Sequence, residues 1–344
     1  MNMHGTKTLN IIVDDYGSFL GKEKGALVIK NRTGKNTHYP LFENKIGEIQ
    51  IKSGNTISSG ALATCGFWGI NILVLTQRGN PVAVLKSLDD DSHVKTRVCQ
   101  YKALENQKST EIAKTLVIAK AQGYDQVLKK YGLKLVGFIK DDLNAITAND
   151  PLTFKRKLMN YEAMFSKRYF SQIFQLFSED IRPEGRSTFL AYDGLNNTFN
   201  LAYEILRWKI HVALLRSHLE PYLGYLHSMQ HGKPSLVCDF MEIYRYLMDD
   251  FIISFCKDAK VKDFIFKTEQ HSNKKGKRQY LNNNLTKEFT KKLDLFFQST
   301  VEIPRMKVGK KQEIETLINE EAFLFAKYLR GERTTWIPRI AELK

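Results

Sequence analysis

Apolar residues change their spacing once along this 344-residue chain, near residue 90, and that change limits the fold more than any other feature. Before it, short runs rich in β-branched residues (8–13, 26–30, 46–51 and 70–75) are separated by turn signals at Tyr16-Gly17, Thr33-Gly34, Ser53-Gly54 and Arg78-Gly79-Asn80-Pro81. Runs of that length and punctuation predict strands, with room for one short helix over 58–65. After Val94 the period lengthens: Val98, Tyr101 and Leu104, then Ile112, Leu116, Ala119 and Gly123, recur at three and four, as one face of a helix does. Similar stretches cover 151–177, 194–218, 236–256, 286–297 and 312–329. The reading is an α+β chain: a small N-terminal all-β domain over 1–87, a polar, acidic linker over 88–96, and a larger all-α C-terminal domain over 97–344. Two segments interrupt the helices. Residues 220–234 are too irregular for one helix, and the basic, Gly-bearing run 271–278 reads as a mobile loop.

Charge says what such a chain meets. The formal net charge is +15, and it is concentrated: residues 1–95 hold 11 basic and 8 acidic side chains, residues 257–311 hold 15 and 6. More than half the excess thus lies in one stretch, which suits a polyanion partner such as nucleic acid or an anionic membrane, a solvated helical face being the other reading of the same charge. With 43% hydrophobic residues the chain can bury a core, which excludes a disordered basic tail. The longest strongly apolar run, Gly69 to Leu75, is too short for a bilayer, and no basic segment followed by an apolar one opens the chain. No membrane association is expected. Four scattered cysteines without a Cys-x-x-Cys pair exclude zinc ribbons and disulfide scaffolds, and suit a cytoplasmic location.

Neither a Gly-rich phosphate loop nor Gly-x-Ser-x-Gly nor His-Glu-x-x-His occurs. Chemistry must come from polar residues set among helical apolar ones. Glu162 shares a helix face with Phe165 and Tyr169, so its carboxylate is aimed inward or into a cleft, unless it is an ordinary salt-bridge partner on a basic helix. Asp239 and Glu242 stand three apart after Pro234, with His227 in the preceding loop. Two acids and an imidazole make a divalent-metal shell; acids in a first helical turn also simply complement the dipole. His231 and Lys233 are candidates to contact phosphate, and Asn196 and Tyr203, seven apart, to support a site by hydrogen bonds, although Asn near a helix start is commonly a cap.

Four stretches form a recognisable order: Tyr161-Glu162 with Tyr169-Phe170; Asp193-Gly-Leu-Asn196 leading to Tyr203; Leu219-Glu-Pro-Tyr-Leu-Gly-Tyr-Leu-His227; and Gly232-Lys-Pro-Ser-Leu-Val-Cys-Asp239-Phe-Met-Glu242-Ile-Tyr-Arg245. Together with Gly54-Asn55, Ile57, Gly69–Leu75, Gly79, Arg97 and Gln100 they resemble the CRISPR-associated endonuclease/integrase family Cas1, the larger CRISPR adaptation protein, over almost the whole chain. The resemblance implies a β domain joined to a helical one, a homodimer, and a complex with the smaller adaptation protein that grips double-stranded DNA. It implies metal-dependent (Mg²⁺ or Mn²⁺) cutting and joining of DNA for antiviral defence, with spacer acquisition as the outcome. The implied metal ligands and catalytic residues are Glu162, His227 and Glu242, with Asp239 a neighbouring acid. Phe165 and Ser166 stand where the family commonly has small residues, and His218 where it commonly has Gly.

The expected reaction is transesterification, in which a 3′ hydroxyl of captured DNA attacks a phosphodiester of the CRISPR repeat. Lys274, Lys275, Lys277 and Arg278 are expected to hold the DNA backbone. Two other readings stay open: a metal-dependent nuclease on branched or single-stranded DNA that integrates nothing, and a non-catalytic nucleic-acid-binding scaffold.

Overall fold

The computed structural model describes residues 9–344 apart from 45, 78–80, 88–91, 136–142, 144–145, 147–149, 189–190, 272–273 and 304–310. The chain divides into two compact units, Met1–Val94 and Lys95–Lys344.

The first unit holds two four-stranded sheets. One is ordered β1 (Leu9–Val13), β5 (Ile46–Lys52), β7 (Asn71–Leu75), β8 (Pro81–Leu85); the other β4 (Asn36–Pro40), β3 (Ala26–Lys30), β2 (Phe19–Glu23), β6 (Thr56–Ile57). The β2–β3 turn is two residues long, and Lys24 and Gly25 both have positive φ, the conformation that fits the twist of a tight hairpin. β1, β5 and β7 are parallel, and parallel neighbours need a crossover, which β6 and helix α1 (Ser59–Phe67) supply between β5 and β7. Ser58 caps α1 by accepting from Ala61 N. The short helix expected near 58–65 is thus present, and the unit is strand-rich with one helix, not strictly all-β. Ile11, Val13, Leu20, Leu27, Ile49, Ile51, Ala61, Cys65 and Ile72 form its core.

Helix α2 (Ser92–Leu104) starts inside the span read as a linker, so only 88–91 are left for one, and these lie outside the described residues. The second unit continues with α3 (Lys108–Lys130), α4 (Pro151–Ile173), α5 (Gly194–Arg216), α6 (Ser235–Cys256), α7 (Asn283–Gln298) and α8 (Ile314–Leu329). Asp150, Asp193 and Asn282 cap α4, α5 and α7 by accepting from the third helical N–H. Buried nearly all round, α6 is the axis of this unit, with α3 and α5 packed along it. The unit is not all helix. Phe264–His271 (β9) and Lys274–Leu281 (β10) form an antiparallel hairpin, and Thr300–Glu302 (β11) pairs with Lys311–Glu313 (β12). The run read as a mobile loop is mostly β10: Lys274–Arg278 are basic around one glycine and include none of the β-branched or aromatic residues by which a strand is recognised. Among the described residues no helix is long and apolar enough to cross a membrane.

One close approach sets the spacing of α3 and α6. A Cβ on Gly123 would stand 2.5 Å from Tyr246 Cδ1 and 2.8 Å from its Cγ. The Tyr246 ring cannot step aside, because its hydroxyl donates to Ala341 O and accepts from Ala341 N, pinning the C-terminal segment to α6. Gly123→Ala should therefore destabilise the protein by about 1–3 kcal/mol through overpacking, although Ala is the better helix former by about 1 kcal/mol. Urea denaturation of the two proteins checks the sign.

Candidate active site

Three separate pieces of chain meet beside the middle of α3. Glu162 comes from α4, Glu242 from α6, and His227 from the loop between α5 and α6. Glu242 is 3% exposed, whereas Glu162 and His227 keep 20% exposure each, so the cluster has a buried floor and an open rim.

The loop is held from both sides. Gln100 in α2 donates to Glu220 O at 3.0 Å and accepts from Glu220 N at 2.8 Å, and Tyr225 Oη donates to Gln100 O. Gly224 lies flat against the start of α6, where a Cβ would meet the Ser235 carbonyl carbon at 2.8 Å. Asp239, fully buried, accepts from the backbone N–H groups of Tyr225, Leu226 and His227 and from His227 Nδ1 at 2.8 Å. A carboxylate only accepts, so His227 carries a proton on Nδ1 and turns Nε2 toward Glu242 Oε1, 3.9 Å away. Asp239 is thus the residue that sets the loop and the imidazole, and it does not face the point where the other carboxylates converge. At the loop's start, His218 takes a positive φ of 61°, the left-handed conformation that glycine adopts without steric cost.

Between Glu162 and Glu242 stands an ammonium. Lys120 in α3, 5% exposed, contacts Glu162 Oε1 and lies 2.7 Å from Glu242 Oε2. Arg245 Nη2 is 3.0 Å from Glu242 Oε1, and Ser166 Oγ donates to Glu162 Oε1 at 2.7 Å. Burial pushes the Glu242 carboxyl up, but Arg245, Lys120 and His227 outweigh it and hold it at about 2, against an ordinary 4.5. Burial likewise pushes the Lys120 amine down, and Glu242 first, then Tyr124 and Glu162, outweigh it and raise it above its ordinary value. Neither Lys120 nor Arg245 was among the residues expected at the site. The available signal was position: Lys120 falls on the apolar stripe of α3, between Leu116 and Tyr124, where an unpaired lysine cannot stay.

Behind this cluster lies a second buried acid. Asp249 accepts from Tyr169 Oη at 2.8 Å and from Tyr203 Oη, and the Tyr203 ring lies under the Arg245 guanidinium, 5.0 Å from its centroid. Tyr203 therefore supports the site at one remove, by positioning Arg245. Asn196 does not approach it: its amide ties Gly185 O and Ser187 N to the start of α5. His231 is exposed and Lys233 half-buried in a short bridge with Gln230. Of the expected DNA contacts, Lys277 is exposed on β10, but Arg278 is only 7% exposed, with its guanidinium 5.9 Å from the Tyr192 ring centroid, so it is a packing residue. The side chains of Lys274 and Lys275 lie outside what is described.

Among the described residues no three acidic, histidine or cysteine side chains already form a metal shell. The Lys120 ammonium lies between Glu162 and Glu242, and His227 approaches the other oxygen of Glu242, which Arg245 also contacts. The donor chemistry itself fits a divalent cation: two carboxylates share one positive charge, and an imidazole nitrogen lies 3.9 Å from the second of them.

The family described as CRISPR associated protein Cas1 matches residues 11–294. A relative named CRISPR-associated endonuclease Cas1 1, from Francisella tularensis subsp. novicida, is 28% identical over 339 residues, covering 94% of this chain and 96% of its own. Among solved structures, a casposase bound to integration product superposes with a TM-score of 0.68 at 19% identity, covering 95% of this chain and 96% of its own. A chain of a partial Cas6-RT-Cas1–Cas2 complex superposes at 0.72 and 16% identity, covering 98% of this chain and all of its own.

Two outcomes follow from the geometry. Asp239→Asn places an NH2 group against backbone donors and should cost about 1–3 kcal/mol, read by denaturation. The NMR signals of His227 should then lose their single fixed tautomer. The second concerns pH. Burial pushes Asp249 up to about 6 from 3.8, against the hydrogen bonds of Tyr203 and Tyr169. A raised carboxyl pKa means the folded state prefers the proton, so this contribution is complete below pH 3.8 and lost as pH rises through 6. Relative to Asp249→Asn, which cannot ionise, the wild type should lose on the order of 3 kcal/mol across that window, measured by urea titrations at several pH values.

Proposed function

Because this chain belongs to the CRISPR-associated Cas1 family, we propose that it is a DNA endonuclease/integrase of CRISPR adaptation, working through the cluster of Glu162, Glu242 and His227. The observation that carries this reading is that Glu162 from α4 and Glu242 from α6 share one ammonium, with His227 Nε2 from the preceding loop 3.9 Å from the other oxygen of Glu242, at an open rim. The casposase bound to integration product and the Cas1–Cas2 complex support DNA joining and a smaller protein partner, since their fold is shared along nearly the whole chain.

Glu162, Glu242 and His227 Nε2 would hold a Mg²⁺ or Mn²⁺ ion, whose part is to draw negative charge off the phosphate oxygens and the leaving oxygen. A nitrogen donor makes Mn²⁺ at least as suitable as Mg²⁺. In the reaction a 3′ hydroxyl of captured DNA forms a new bond to phosphorus in the repeat, and the bond from that phosphorus to its 3′ oxygen breaks. The chain's own residues supply fixed geometry. Asp239 locks the imidazole. Arg245, held on the Tyr203 ring, keeps Glu242 ionised and fixed in direction. Such preorganisation costs nothing at the moment of reaction. The protein is expected to act as a homodimer with the smaller adaptation protein, and the basic region that includes Lys277 to contact the DNA backbone.

A single assay tests this. Wild type, Glu162→Gln and His227→Ala are supplied with the smaller partner, a 3′-hydroxyl duplex and a supercoiled plasmid bearing the repeat. Each variant should lose at least about 100-fold in joined product, and EDTA should abolish it. Fragments without joined DNA point to a nuclease alone; full activity in EDTA overturns the metal mechanism.

A further inference from the structure

Lys120 is the charged residue of the cluster that the proposed chemistry does not use, and it stands between Glu162 and Glu242. We propose that Lys120 is the site's resident counter-cation: its ammonium holds Glu162 and Glu242 together in the metal-free protein, and a divalent cation enters by exchanging with it. This rests on the reading that Glu162, Glu242 and His227 hold a metal.

Two carboxylates aimed at one buried point repel, and an ionised carboxylate at 3% exposure needs a partner. Arg245 answers Glu242 Oε1 only. Glu242 Oε2 and Glu162 Oε1 are both met by the Lys120 ammonium. The two cations differ in what they can do next. Arg245 is fixed, a planar group stacked on Tyr203 and bound to Glu242. Lys120 is a point charge on a four-carbon stem without preferred bond directions, which can swing while its backbone stays in α3. A second seat is present beside it. Its Nζ already lies 5.5 Å from the Tyr124 ring centroid, and the buried Tyr124 hydroxyl has no hydrogen-bond partner. An ammonium released from the carboxylates therefore meets an aromatic face and a free phenolic oxygen without crossing into solvent.

The consequence is that metal affinity in the free protein is set by competition, weaker than three such ligands would give alone. Mn²⁺ binding to the full chain without DNA, followed by electron paramagnetic resonance, should be about 10-fold tighter or more in Lys120→Met than in wild type, the loss of roughly one ion-pair contribution of 1.4 kcal/mol. Lys120→Met should also melt lower than wild type without metal and show the larger upward shift when Mn²⁺ is added. Should Lys120→Met fail to fold without metal, wild type alone suffices: the side-chain ¹³Cε NMR signal of Lys120 should shift when diamagnetic Mg²⁺ binds, as the ammonium leaves the carboxylates for the Tyr124 ring. Equal Mn²⁺ affinity in the two proteins, or an unmoved Lys120 signal while Mg²⁺ is bound, overturns the exchange and leaves the metal reading standing. No Mn²⁺ binding to either protein removes the metal reading itself, and the exchange with it.

Discussion

The second unit is organised around an expensive act: burying four carboxylates along one helix. Asp239, Glu242, Asp249 and Asp250 are all buried on α6, a helix otherwise made of large apolar residues. Leaving any one ionised and unmet inside the core would cost several kcal/mol. Each is met, and each differently. Backbone N–H groups and an imidazole answer Asp239, Lys120 and Arg245 answer Glu242, the hydroxyls of Tyr169 and Tyr203 answer Asp249, and Lys130 with Tyr131 answers Asp250. The donors come from α3, α4, α5 and the 225–227 loop, so satisfying the acids dictates which elements surround α6 and in what register.

Packing then has to bring those donors within hydrogen-bond distance. Gly123 allows α3 to close on Tyr246, and Lys120 lies one turn earlier on α3 as Glu242 lies one turn earlier on α6. The contact that spaces the helices therefore also delivers the ammonium. On the far side of α6, Trp336 stacks on Phe240 and donates to buried Glu321, so the C-terminal segment braces the same turns that present Glu242 to the site. Rigid surroundings of this kind are what a phosphoryl-transfer site needs, since its catalysis rests on placed charges more than on covalent chemistry.

How much of this was readable in advance depended on whether a residue's role shows in its neighbours along the chain. The change of period near residue 90 and the long helices were legible, because burial of one face leaves a repeat in the sequence. The Glu162, His227 and Glu242 order was legible as a string. Three things were not. The β9–β10 hairpin enters β10 through basic residues and a glycine with no β-branched side chain among them, and so read as a loop. Arg278 counted as a DNA contact because charge alone does not tell an exposed guanidinium from one packed on Tyr192. Lys120 went unnoticed because its partners are 42 and 122 positions away, and only the tertiary structure brings them together.

The surroundings of the four acids support assigning only one of them to the proposed chemistry. Asp239 is committed to three backbone N–H groups and an imidazole; releasing it would unfold the loop. Asp249 is held by two buried phenols that have nowhere else to donate, and its raised pKa marks a group resting on burial more than on charge. Asp250 faces a lysine and tyrosine at the end of α3, 8 positions from Glu242 and without a second acid. Glu242 alone is paired with a second carboxylate across an ammonium, beside a histidine whose Nε2 lies 3.9 Å from it. A buried acid whose partners are fixed is part of the scaffold. One that shares its counter-charge with a second acid near an open rim is where the proposed metal would be held, and on α6 only Glu242 has that arrangement.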